Sequence, residues 1–132
     1  MSKRNKIIYW ISTLWLSLGM LSSGLVQLIQ HPEEVKHLVD HLGYPLYFLP
    51  LLGAWKFAGV LAILIPGRPL VKEWAYAGFF FTMTGALYSH VACKDEAYEY
   101  FGPTLSIILI FVSWYFRPDS RKIQIQPRVS NV

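Results

Sequence analysis

Lys56 lies in the middle of an apolar run, Pro45–Ile65, that is otherwise uncharged. Near the centre of a bilayer an ammonium costs at least ~2.5–3.5 kcal/mol, so it must face a bundle interior or a water-filled cavity. Gly53, Lys56, Gly59 and Val60 share one face at helical spacing. The two glycines let a neighbouring helix, or a ligand, come close to the amine. Such an amine suits an anionic or carbonyl-bearing small molecule, with a quinone headgroup as one candidate. The alternative is a structural lysine hydrogen-bonded to carbonyls and hydroxyls. Candidate partners are Glu73, His90 and the hydroxyls of Tyr76 or Tyr88. Lys56, Glu73 and His90 therefore make up the candidate ligand-binding set.

A second group of chemically able residues lies in HPEEVKHLVDHLG, residues 31–43. Val35, Leu38, Val39 and Leu42 recur at helical spacing, Pro32 suits a first turn, and Gly43 suits an end. The spacing predicts a short amphipathic helix lying at a membrane interface. Its polar face carries Glu33, His37, Asp40 and His41, and is expected to be a solvated face. The alternative is a metal or proton-handling cluster, because His37 and His41 have the i, i+4 spacing that can hold one ion. His31 and His90 fall on or near the same side.

Other chemistries find little support. Cys93 is the single cysteine, so no internal disulfide or multi-cysteine metal site can form. It lacks a resolving partner and reads as an inert thiol. No glycine-rich phosphate loop, nucleophile elbow, zinc-protease helix or covalent haem motif is present. Haem held by two histidines needs two of them within the membrane, and only His90 qualifies.

The elements that must position these residues are apolar runs. The chain is 54% hydrophobic and only 15% charged, below the ~25% of soluble chains. Four runs are read as membrane spans: residues 7–29, 45–65, 74–92 and about 98–116. The last is short, but Tyr98, Tyr100, Phe101, Trp114, Tyr115 and Phe116 cluster at its ends, where interfacial aromatics belong. The first run exceeds the 7–15 residues of a signal-peptide core and has no cleavage pattern, so it is read as uncleaved. This divides the chain into a terminus of residues 1–6, a membrane domain of residues 7–116 and a tail of residues 117–132. The fold expected is an all-α, up-down, four-helix membrane bundle with a short outer helix.

Charge placement orients it. Lys3, Arg4, Lys6, Arg68, Lys72, Arg117, Arg121, Lys122 and Arg128 fall on one side. Glu33, Glu34, Asp40, Asp95, Glu96 and Glu99 fall on the other, where Lys36 and Lys94 are the only basic residues. By the positive-inside rule both termini are cytoplasmic in a bacterial inner membrane. The net charge of +4 then reflects topology and anionic membrane lipid rather than nucleic acid. The tail, broken by Pro118 and Pro127, reads as disordered. In the third span Ala75, Gly78, Thr82, Gly85 and Ser89 form a small-residue stripe. It is expected to pack closely on another helix, a substrate groove being the alternative.

Residues 41–90 resemble the bacterial DoxX-like membrane proteins. The shared elements are LGYP (42–45), LLGAWKFAG (51–59), LIPG (64–67), KEWAYAGF (72–79) and GALYSH (85–90). The resemblance runs from about Gly24 to Pro118 and implies a four-helix membrane bundle. The family's namesakes are linked to thiosulfate:quinone oxidoreduction and to membrane redox complexes. Many relatives place an acidic residue where Lys56 stands.

Two function classes follow. In the first, the chain is a quinone-binding or redox-complex-associated subunit, not a stand-alone enzyme, and its partner protein carries the catalytic cofactor. In the second, it is a small solute transporter or a non-catalytic membrane assembly factor. A homo-oligomer is compatible with both.

Overall fold

A computed structural model describes residues 2–124. Four long helices dominate it: α1 (Lys3–Leu28), α3 (Phe48–Leu64), α4 (Pro69–Ala92) and α5 (Phe101–Tyr115). Between α1 and α3 lies α2 (Pro32–Val35), which continues into a π-helical turn, Lys36–His41. Short 3₁₀ turns precede and follow α5, at Ala97–Tyr100 and Asp119–Arg121. There is no strand among the described residues, and the fold is all-α. The long helices pack as a ring: α1 on α3, α3 on α4, α4 on α5, and α5 back on α1.

Local sequence accounts for the boundaries. The Ser2 side chain accepts the Asn5 N–H and caps α1. Pro69 sits in the first turn of α4, where its missing N–H is harmless. Gly43 ends the π turn with φ of 84°, a conformation open to glycine. At 1.5 Å per residue, α1 and α4 are roughly 39 and 36 Å long, and α3 and α5 roughly 26 and 22 Å. By length and hydropathy together, α1 is the one described helix able to cross a membrane.

Large apolar side chains cover much of the outer surface, while several polar ones are buried. Ile11, Leu14, Trp15 and Leu18 of α1, Leu61 of α3 and Phe81 of α4 are exposed. Ser12, Thr13, Ser17, Gln27, Lys56, Lys72, His90 and Ser113 are buried. The core joins an apolar cluster of Leu16, Met20, Val60, Ile63, Tyr76, Phe79, Met83 and Ile110 to a small polar knot. In that knot the Ser113 hydroxyl lies 2.6 Å from Thr13 Oγ1 and 2.8 Å from Tyr76 Oη, tying α1, α4 and α5 together.

The bundle has two chemically different ends. Lys3, Arg4, Lys6, Arg68, Lys72, Arg117 and Arg121 gather at the basic end. The histidine end carries α2, the π turn and the loop from Cys93 to Glu99.

Three expectations need correction. Residues 31–43 do not form one amphipathic α-helix, because the helix widens at Lys36 into a π turn. The start of the tail is ordered: Arg121 donates to the carbonyls of Ile63, Leu64 and Ile65 and its guanidinium lies over Tyr9 and Trp10. Pro127 and Arg128 lie outside the described residues. Finally, the small-residue stripe of α4 is not a close-packing face: a Cβ added at Gly78 or Gly85 would meet nothing within 4 Å. The close approach is made instead by Gly24 of α1 and Gly53 of α3, where an added Cβ at Gly53 would lie 2.5 Å from Gly24 O.

Candidate functional site: a polar cavity beside Lys56

The contact of Gly24 with Gly53 decides the surroundings of Lys56. It brings α1 so near to α3 that the Lys56 Cβ lies 3.2 Å from where a Gly24 side chain would begin. Ser23, adjacent in α1, then accepts a hydrogen bond from Lys56 Nζ at 3.0 Å. One turn further along α1, the Gln27 amide donates to Glu34 Oε1 at 3.0 Å. The Gln27 carbonyl oxygen is buried and has no hydrogen-bond partner among the described residues.

Lys56 and Gln27 line one cavity of about 240 Å³. Its walls come from α3 and α4, including Trp55, Thr82, Met83 and Gly85, and its floor at the histidine end from Leu38, Leu42 and His90. A second cavity of about 390 Å³ adjoins Lys56 on the other side, against Gly59, Ala75, Gly78 and Thr82. The open side of the α4 stripe therefore forms cavity wall, because side chains this small leave space between α3 and α4. Tyr44 closes the region near the histidine end through a 2.6 Å hydrogen bond with Ser89.

Of the three residues in the predicted ligand-binding set, the structure brings two to one cavity. Lys56 and His90 share it. Glu73 lies at the basic end instead, paired with Arg117 at 2.9 Å and accepting the Trp114 indole N–H at 2.8 Å. Its place near the start of α4 puts it far along the helix from His90. Neither tyrosine reaches Lys56, since Tyr76 bonds Ser113 and Tyr88 is exposed. The partner found is Ser23, and Gln27 lines the same cavity as Lys56. No pattern in the sequence ties either residue to Lys56.

The histidine end is more organised than a solvated face. Glu33 and Asp40 are exposed as expected, but His37 and His41 turn toward α4. Asp95 accepts from His41 Nε2 at 2.6 Å and from His90 Nδ1 at 2.7 Å. The hydrogen bond from His90, followed by that from His41, holds the Asp95 carboxyl below its ordinary range, against the opposing effect of burial. A carboxylate only accepts, so both rings donate to it, and His90 is left with Nε2 facing elsewhere. His31 is apart from this group, its Nδ1 accepting the Glu33 N–H at the start of α2.

Comparison with known proteins agrees with this architecture. The DoxX-like family matches residues 11–115. Over 80 residues the chain is 31% identical to the uncharacterized protein YdgD of Bacillus subtilis strain 168, covering 58% of this chain and 67% of that protein. No solved structure matches. With the family match reaching from α1 to the end of α5, the chain belongs to the DoxX-like family and is a membrane protein of the DoxX type.

Proposed function

We propose that the cavity beside Lys56 binds the polar headgroup of a lipid-soluble, carbonyl-bearing molecule of the quinone class. The observation that carries this reading is the presence of two buried groups in one largely apolar cavity, the Lys56 ammonium and the Gln27 carbonyl, which has no partner among the described residues. An ammonium has three donors, and Ser23 accepts one of them. A quinone carbonyl would accept from Lys56, and a quinol hydroxyl would donate to Gln27 Oε1. Each then satisfies a group that burial otherwise penalises. His90 lines the same space, while Glu73 takes no part.

In this reading the four long helices span a bacterial cytoplasmic membrane, with the basic end inside and both termini cytoplasmic. The exposed apolar side chains then face lipid, and the basic end follows the positive-inside rule. The chain works beside a redox partner protein that carries the catalytic cofactor.

The test is thermal unfolding of the purified protein in mild detergent with and without a short-chain benzoquinone or naphthoquinone. Ligand at a hundred times its Kd should stabilise the wild type by about 2.7 kcal/mol. Lys56→Met should insert and fold, and should lose that stabilisation. A wild type indifferent to quinone, or a variant stabilised as much as the wild type, rejects the reading. Solute flux through liposomes without quinone binding would favour a small transporter instead.

A further inference from the structure

We propose that His37, His90 and Glu99 form a binding site for one divalent cation of the zinc class at the histidine end of the bundle. This goes beyond the ligand reading of the Lys56 cavity and does not depend on it. Three separate elements supply the donors: the π turn gives His37, the end of α4 gives His90, and the 3₁₀ turn before α5 gives Glu99. One ligand atom from each lies within 4.8 Å of the other two. The His37 and His90 rings approach to 5.4 Å between centroids. Two imidazoles and one carboxylate form a donor set that zinc uses with a fourth position left open.

The surroundings supply what such a site needs. His90 is buried, and its Nδ1–H donates to Asp95 at 2.7 Å. That bond fixes the ring and its tautomer and presents Nε2 as a lone pair, as carboxylates beside metal-bound histidines do. Asp95 is itself held by His41 on its other oxygen. Zinc–nitrogen bonds of about 2.0–2.1 Å place tetrahedral ligand atoms ~3.4 Å apart. The three donors must therefore close by at most about 1.4 Å, a movement on the scale of side-chain rotation at His37 and Glu99. His37 and His41, the pair at i, i+4 spacing, do not form the site, because His41 is turned onto Asp95.

The experiment uses the full chain in detergent, with any affinity tag removed and metal stripped by chelator. Zn²⁺ binding is measured by competition with a chromophoric chelator, and Co²⁺ serves as a spectroscopic probe. The wild type should take up one Zn²⁺ per chain, show the visible absorption of low-coordinate Co²⁺, and ignore Mg²⁺. His37→Ala and Glu99→Gln should each weaken Zn²⁺ at least tenfold, and Asp95→Asn should weaken it 10–100-fold. His31→Ala and Cys93→Ser should bind as the wild type does. The proposal is overturned if the wild type shows no saturable Zn²⁺ or Co²⁺ binding, a measurement that needs no variant to fold. It is equally overturned if folded His37→Ala and Glu99→Gln bind normally, or if His31→Ala or Cys93→Ser abolishes binding.

Discussion

Gly53→Ala is expected to destabilise the bundle by about 2–3 kcal/mol, toward the upper end of the usual overpacking range. The added methyl would lie 2.5 Å from Gly24 O, 2.9 Å from Leu28 N and 3.2 Å from Leu28 Cα. All three are backbone atoms of α1, so no rotamer change can relieve the clash, and the whole helix must move. That movement also draws Ser23 away from Lys56, so quinone stabilisation should fall with the melting temperature. Gly78→Ala and Gly85→Ala provide the comparison. Each methyl enters open space, and alanine favours the helix over glycine by up to about 1 kcal/mol. Thermal or denaturant unfolding of the three variants in one detergent checks the contrast. A Gly53→Ala protein as stable as Gly78→Ala would mean that α1 and α3 are not in the contact described.

The second large effect is expected at Lys72. Its side chain is 1% exposed, and Nζ donates to Ala62 O at 2.8 Å and to Ile65 O. These are among the last carbonyls of α3, which have no partner within the helix. A cation there also meets the negative end of the helix dipole. Lys72→Met keeps the apolar stem and removes the donor. The expected loss is about 2 kcal/mol, within the range for hydrogen bonds to charged groups. Arg121 serves the same helix end, bonding Ile63 O at 2.8 Å and sharing Ile65 O with Lys72. Because one acceptor has two donors, either residue partly covers for the other. Lys72→Met with Arg121→Ala should therefore cost more than the two single losses added, by at least about 0.5 kcal/mol. Strict additivity, or a neutral Lys72→Met, would refute the shared cap.

Much of the bundle is legible in the apolar pattern. The four long helices fall on the four apolar runs, because each run ends where proline, glycine or clustered charge stops a helix. Burial of Lys56 could also be read, since an amine in the middle of such a run has few other places to go. Its neighbours could not. Ser23 reaches Lys56, and Gln27 the cavity, because Gly24 and Gly53 let two backbones meet, a tertiary event with no periodic trace. Glu73 shows the same limit from the other side. As an ionisable group at the start of the third apolar run it is a candidate partner for Lys56, but it pairs with Arg117, from beyond α5. Lys72 and Arg121 read as orientation charges, and only the fold shows that they finish α3. The π turn escaped because a 3.6-residue period was assumed through residues 31–43. The widened turn is what carries His37 and His41 toward α4.

The hydrogen bonds at the two ends differ in kind. At the basic end, a lysine and an arginine close the carbonyls of α3, and Arg117 binds Glu73. At the histidine end, the short π turn is fastened through His41 on Asp95 and Tyr44 on Ser89. Local unfolding is accordingly expected to begin at the π turn, whose Leu38 lines the cavity, with faster amide hydrogen exchange there than at the capped end of α3.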